Sequence, residues 1–344
     1  DREKVISNLL KEKERITKNS ENFSNEELLL ALNSLRDIED VNRFEKATLH
    51  FKKSIELYEH FTNCFEYAFV LYHQNHLNDA LMAYNEARKF AGSEELLRRS
   101  HLYNNIGLVY KKMQRFDDAV ANFSEALSIG RLLAEKSPDE SVSTVAMTLL
   151  NLGSSNYDAQ NFQDAEKYSS EALVIYRKLS EASDKYLSAL ALTLINLGAV
   201  YTDTQRFTEA ETSYSEALSI YRRMDEKFRG LEYVTALTLH NLGKLYRVVS
   251  RYKDAESHYS EALFIRLDLA KRNPDAFEPD AALTLNNLAT LYYGQLRYRD
   301  AETSYSNAIA IYRRLIKNNP DAFASFLALA LSNRALVYNA VQRY

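Results

Sequence analysis

Leu285-Asn286-Asn287-Leu288-Ala289-Thr290-Leu291-Tyr292 decides how this chain folds, because its second asparagine, its small residue and its tyrosine recur in step along most of the sequence. Asn287 has counterparts at Asn105, Asn151, Asn196, Asn241 and Asn333, and the six are separated by 46, 45, 45, 46 and 46 residues. Two residues after each comes a small side chain, in turn Gly107, Gly153, Gly198, Gly243, Ala289 and Ala335. Self-similarity at a period of a few tens of residues means stacked supersecondary units, each burying its apolar face against the next.

Counting on from the small residue shows how one unit is built. Twelve residues later stands Ala119, Ala165, Ala210, Ala255 or Ala301, and seven further Ala126, Ala172, Ala217, Ala262 or Ala308. Side chains this small let two antiparallel helices approach closely, and Phe123, Tyr214, Tyr259 and Tyr305 are expected to fill the space beside the contact. One unit departs, with Ser169 in the aromatic's place. The two helices are joined by a short polar turn ending in an aromatic, as in Gln114-Arg115-Phe116, Gln205-Arg206-Phe207, Ser250-Arg251-Tyr252, Leu296-Arg297-Tyr298 and Gln342-Arg343-Tyr344. That aromatic is expected to pin the turn to the core. All four prolines, Pro138, Pro274, Pro279 and Pro320, fall between one unit's second helix and the next unit's first, where they read as stops. The boundaries at Ser183-Asp184 and Arg229-Gly230 use polar or glycine breakers instead.

Composition agrees with an all-α chain. Of 344 residues, 46% are hydrophobic and 26% charged, while there are only 8 Gly, 4 Pro and no Trp. The net charge of −4 is too small to imply a polyanion or an anionic membrane as partner. Acidic residues interleaved with the basic endings of the second helices, such as Arg131, Arg177 and Arg222, argue against a nucleic-acid stripe and leave those endings to complement the helix dipole. No apolar run approaches the ~20 residues that cross a bilayer. The single cysteine, Cys64, excludes an intramolecular disulfide framework and fits a reducing compartment, which makes cytoplasmic the expected location.

These residues carry a resemblance. Leu197-Gly198-Ala199-Val200-Tyr201, Leu242-Gly243-Lys244-Leu245-Tyr246 and Leu288-Ala289-Thr290-Leu291-Tyr292, with the alanines downstream, resemble the tetratricopeptide repeat. The period is about eleven residues longer than that family's standard 34, and is similar to the lengthened repeats of kinesin light chains and their prokaryotic relatives. The resemblance implies a right-handed superhelical solenoid of antiparallel helix pairs. It covers residues 99–344 as about five full repeats and a truncated sixth, and decays upstream. Leu77-Asn78-Asp79-Ala80 with Tyr84 and Ala87, and Arg43 to Ala47 with Phe51, suggest two degenerate pairs over 24–98, with Glu66 where asparagine is expected. Residues 1–23 read as a charged lead-in, either a helix or a frayed stretch.

The resemblance also implies that the first helices line a concave groove, with the asparagine row and the positions three and six or seven residues later facing into it. An amide offers one donor and one acceptor, which match the N–H and C=O of an extended residue. The expected partner is therefore a protein or extended peptide held by Asn105, Asn151, Asn196, Asn241, Asn287 and Asn333. Lys111, Lys244 and Arg247 would supply positive charge, Asp158 and Asp203 negative, and Tyr157 and Tyr293 aromatic surface. A second reading stays open beside it, in which the asparagines only bridge neighbouring first helices. Tyr201, Tyr246, Tyr292 and Tyr338 read as core. No phosphate loop, serine elbow or Cys–His constellation points to catalysis, and no cofactor is expected. His60, Cys64, His73 and His76 are zinc-type donors, but Cys64 and His73 lie ~13 Å apart along a helix and do not converge on one ion. Two further classes remain: the sensor arm of a larger nucleotide-switch or caspase-like signalling protein, or a rod that self-associates through a truncated repeat end.

Overall fold

The computed structural model describes residues 2–36, 42–58, 60–92, 95–225 and 230–342. Arg229, Arg343 and Tyr344, which belong to an expected boundary and the last expected turn, lie outside them. The helices are α1 (Arg2–Arg36), α2 (Arg43–Leu57), α3 (Phe61–His73), α4 (Leu77–Lys89), α5 (Leu96–Lys112), α6 (Phe116–Lys136), α7 (Pro138–Asp158) and α8 (Phe162–Ala182). A 3-10 turn, Asp184–Tyr186, leads into α9 (Leu187–Asp203), α10 (Phe207–Asp225), α11 (Glu232–Val248), α12 (Tyr252–Arg272), α13 (Pro274–Gly294), α14 (Tyr298–Asn318) and α15 (Pro320–Val341). No strand occurs among the described residues. The chain is an all-α helical solenoid made of two compact units, 1–175 and 176–344.

Within each unit, helices pack on their neighbours in sequence, joined by three-residue turns inside a pair and by single residues such as Ser137, Asn273 and Asn319 between several pairs, which makes them run antiparallel. First helices also touch first helices, α3 with α5 and α5 with α7 in unit 1, and α9 with α11, α11 with α13 and α13 with α15 in unit 2. Each unit thus has a tighter layer of first helices and a more widely spaced layer of second helices. The lengthened period goes into the helices. α3 and α4 have 13 residues each, whereas α6, α7, α8, α12, α13 and α14 have 21.

The close approach comes from an aromatic lying directly on the small residue, not beside it. A Cβ on Gly107 would sit 2.7 Å from the Phe123 ring, on Gly198 2.7 Å from Tyr214, and on Gly243 2.7 Å from Tyr259. Those rings are buried, as are the alanines around them. Where Ser169 replaces the aromatic, a Cβ on Gly153 would meet Ser169 Oγ at 2.2 Å and the Ala165 carbonyl at 3.3 Å.

The turns close as Schellman motifs. Met113 caps α5, Gln114 takes φ 59°, its N–H donates to the Lys111 carbonyl at 2.9 Å and the Arg115 N–H to Tyr110 at 2.9 Å. Asn75, Gln160, Gln205, Ser250 and Leu296 take the same left-handed position.

Three expectations change. Pro138, Pro274 and Pro320 open α7, α13 and α15 at the first helical position, where the missing N–H costs nothing, so they are starts more than stops. Asn273 and Asn319 before them cap the helices, their side chains accepting from Ala276 and Ala322 N–H at 3.3 and 3.2 Å. Pro279 lies inside α13. Of the aromatics that end the turns, Phe116, Phe207 and Tyr298 are half-buried, Tyr298 packing on the core as expected, whereas Tyr252 is 42% exposed. Finally, α1 runs unbroken through residue 23 and packs on α2, so one helix replaces the separate lead-in.

Gly243→Ala should cost about 1–3 kcal/mol, because the buried Tyr259 ring has nowhere to move. Gly294→Ala, whose Cβ meets nothing within 4 Å, should add about 0.5–1 kcal/mol. Urea denaturation of the two variants checks both signs.

Candidate peptide-binding surface

All six asparagines stand on first helices at half-buried positions, Asn105 and Asn151 in unit 1 and Asn196, Asn241, Asn287 and Asn333 in unit 2. Their partners divide them. Asn151 Nδ2 donates to Oδ1 of buried Asn104 at 3.0 Å, the residue just before Asn105. The Asn287 amide lies 3.0 Å from His240 Nε2, just before Asn241. Asn105 hydrogen-bonds the Tyr84 hydroxyl. Asn151 and Asn287 therefore bridge neighbouring first helices. For Asn241, the residue in the bridging place is Ile195, which offers no polar group. Asn196, Asn241 and Asn333 make no side-chain hydrogen bond among the described residues, so their donors and acceptors are available to a ligand.

The charges expected to select a partner are spent on one another. Lys111 lies 3.2 Å from Asp158 and also hydrogen-bonds the Ser154 hydroxyl, and Lys244 lies 3.3 Å from Asp203. Both pairs link successive first helices. Tyr157 packs on Phe162 and Tyr293 on Tyr298, each with ring centroids 5.9 Å apart, so these two tyrosines brace the turns. Arg247 is half-buried, close enough to the Tyr259 and Tyr305 hydroxyls to favour their ionised forms against burial.

A ladder at the turns was not anticipated. Arg115, Arg206, Arg251 and Arg297 lie over the rings of Tyr110, Tyr201, Tyr246 and Tyr292 at 4.7, 4.3, 4.2 and 4.2 Å. In unit 2 a glutamate of the preceding second helix joins them. Arg251 contacts Glu211 at 2.8 Å and Arg297 contacts Glu256 at 2.7 Å, while the Tyr246 hydroxyl donates to Glu211 at 2.9 Å. Burial first, and then these glutamates, push Tyr246 and Tyr292 up to about 12. These tyrosines are therefore polar partners as well as packing, and the signal was present: a glutamate follows Ala210 and Ala255 at the repeat period. On the second helices, Arg131 meets Glu171 at 2.7 Å, Arg177 meets Glu216 at 2.9 Å and Arg222 meets Glu261 at 2.6 Å, so the basic endings bridge successive second helices. His60 caps α3, Cys64 is buried, His73 stacks with Phe44 and His76 precedes α4, four separate structural roles. Among the described residues no three such side chains gather as metal donors.

Comparison with known proteins agrees with this geometry. Residues 144–223, 189–268 and 234–314 match the family described as tetratricopeptide repeat, and residues 100–129 match it separately. The chain belongs to the tetratricopeptide repeat family. Solved structures similar to it include BtubC (BKLC) from P. vanneervenii, at 23% identity and TM-score 0.55, covering 72% of this chain and 92% of that one. NprR in complex with its cognate peptide NprX is similar at 16% identity and TM-score 0.55, with 92% and 84% covered. The STAND protein with a tetratricopeptide repeat sensor, PH0952 from Pyrococcus horikoshii, is similar at 16% identity and TM-score 0.60, covering 94% of this chain and 49% of that one. No curated protein matches. Among the described residues no helix is long and apolar enough to cross a membrane.

One tetratricopeptide unit carries a charge in its core. Four residues after the second-helix alanine, α8, α10 and α14 have Tyr176, Tyr221 and Tyr312 and α6 has Gly130, whereas α12 has Arg266, 1% exposed. It donates to the Asp280 carbonyl at 3.0 Å, to the Thr284 hydroxyl and to His240 Nδ1 at 3.1 Å. Arginine only donates, so Nδ1 accepts from it, while on the other side of the ring Nε2 lies 3.0 Å from Asn287 Nδ2. Burial, reinforced by Arg266 and Lys244, pushes His240 down to about 3.

The pH dependence follows from that depressed value. The unfolded histidine takes up its proton near 6.5, while the folded one stays neutral until about 3. The unfolded state therefore binds more protons in between, and this contribution to stability is lost progressively as pH falls below about 6.5. His240→Asn should flatten the fall in stability between pH 7 and pH 4, measured by urea denaturation at each pH. An equal slope in both proteins would contradict the assignment.

Proposed function

We propose that this chain captures a protein partner by laying an extended segment of it along the first-helix layer, and that it acts by binding rather than by catalysis. The observation that carries the reading is the set of unpartnered, half-exposed amides at Asn196, Asn241 and Asn333, repeated at one position per helix pair. A main-chain residue satisfies both ends of such an amide, and each bond contributes about 0.5–1.5 kcal/mol net. Repetition favours an extended backbone without reading its side chains. Asn151 and Asn287 work mainly from behind, holding adjacent first helices in register, and Asn105 ties α5 to Tyr84 of α4, while all three keep half-buried faces at the surface. Lys111 with Asp158, and Lys244 with Asp203, form rails across the layer, and a partner's charges would have to compete with those pairs. Arg247, Tyr157 and Tyr293 complete the surface. The shared fold of NprR, whose structure holds its cognate peptide NprX, supports the reading. The buried single cysteine suits a reducing, cytoplasmic setting.

A second reading makes the same surface the sensor arm of a larger signalling protein, and the likeness to the PH0952 STAND protein with its tetratricopeptide repeat sensor favours it. The two readings share the binding step.

Asn196→Ala with Asn241→Ala should weaken capture of the partner about tenfold or more, with the helical circular dichroism unchanged. Asn151→Ala is the contrasting variant. It should cost about 1 kcal/mol of stability, because the buried Asn104 oxygen loses its donor. Affinity purification with the unmodified protein, followed by calorimetry on the recovered partner, measures the first effect. A double variant that binds as tightly as the parent would end the groove reading.

A further inference from the structure

The asparagine position of α3 holds Glu66, and its surroundings differ from those of every amide in the series. Glu66 is half-buried and makes no hydrogen bond or ion pair among the described residues. It borders a cavity of about 280 Å³ on the first-helix layer of unit 1, lined also by Phe65, Phe69, His101, Asn105 and Met147. Phe65 is held by Phe61 and Tyr84, with ring centroids 5.3 and 5.4 Å away, while Phe69 is 40% exposed. Two aromatic walls, one of them fixed, thus face a polar side formed by His101, Asn104 and Asn105.

The chain's own cations are committed elsewhere. Lys111 is held by Asp158 and Ser154, Lys112 lies over Tyr72 and donates to its carbonyl, and Arg98 lies over Phe61 and pairs with Glu95. Burial keeps His101 from protonating, so it adds no positive charge. The carboxyl group of Glu66 is itself pushed up by burial alone, with no neighbouring charge to hold it down. A metal ion finds too few donors, since no three metal-type side chains gather among the described residues.

We propose that this cavity receives an arginine side chain from the extended partner segment, paired with the Glu66 carboxylate. The proposal rests on the groove reading above and adds a side-chain preference to it. A planar guanidinium meets a carboxylate with two parallel N–H donors and lies against aromatic faces, which Phe65 and Phe69 supply. The Asn105 side-chain oxygen is a further acceptor beside it. The aliphatic stem would contact Met147, whose flexible thioether adapts to it. Unlike an amide in the same position, Glu66 would thus select one residue of the ligand.

The chain has four methionines, and Met147 is the one lining the cavity, so its methyl resonance reports on occupancy. Protein labelled with 13C at the methionine methyls would be titrated with Nα-acetyl-arginine methylamide and, separately, with its neutral citrulline counterpart. The expected result is a saturable shift of Met147 with the arginine probe, weakened about tenfold or more with citrulline and in Glu66→Gln, with Met82 unmoved. Glu66→Gln keeps the side chain's shape, and unchanged remaining methyl resonances establish that it is folded. An equal response to citrulline, an undiminished response in Glu66→Gln, or no Met147 shift with arginine would overturn the proposal. A response confined to the lysine counterpart would overturn the choice of arginine. The double variant Asn196→Ala with Asn241→Ala, in unit 2, should leave the Met147 titration untouched, so failure of the pocket and failure of the groove are read separately.

Discussion

A ring resting on a glycine sets the geometry of this protein. At Gly107, Gly198 and Gly243 the first helix presents bare backbone, and Phe123, Tyr214 or Tyr259 from the second helix lies on it with no room for one more carbon. Alanines flank the contact, so the two axes come as close as helices with side chains permit. Because the same fit recurs at a fixed period, these pairs share the same close internal contact. Position on the first helix is thereby converted into position on a surface, which is why asparagines about 45 residues apart occupy equivalent, half-exposed places.

The polar side chains divide by layer. On the turns, arginines lie over tyrosines and reach glutamates of the preceding pair; on the second helices, arginines bridge to glutamates; on the first helices, two lysine–aspartate pairs do the same. Exposed pairs of this kind contribute little singly, about 0–1 kcal/mol each, but they fix the register between repeats and leave the surface nearly neutral. What remains unsatisfied is informative against that background. Among the groups on the first helices for which the described residues supply no partner are the amides of Asn196, Asn241 and Asn333 and the carboxylate of Glu66. The cluster of Arg266, His240, Thr284 and Asn287 is largely satisfied from within, at a place where α8, α10 and α14 carry a tyrosine. Replacing such a cluster by apolar side chains is often neutral, whereas breaking it by removing one member strands a buried charge.

Reading the sequence against the structure separates two kinds of information. Helix existence, pairing and order were legible because small residues and aromatics recur at fixed offsets, and packing depends on side-chain volume that a sequence states outright. The half-buried level of the asparagines was legible for the same reason. The partners were not. Lys111 and Asp158 are 47 residues apart, Lys244 and Asp203 are 41, and only the crossing of successive first helices shows that each neutralises the other. Tyr157 and Tyr293 were read as ligand surface because nothing local reveals the turn aromatic folding back on them. The prolines were read as stops because the rule for the preceding residue was applied and the preference for the first helical position was not.

The sequence by itself determined a tandem array of helix pairs and the place of one amide in each. Periodicity is a property of the chain, and it survives whatever the loops do. Only the tertiary structure decided which of those amides are free, which charges cancel and where a carboxylate is left alone beside a cavity. Those outcomes depend on distances of about 3 Å between residues some 40 positions apart, and such distances exist only once the helices have packed.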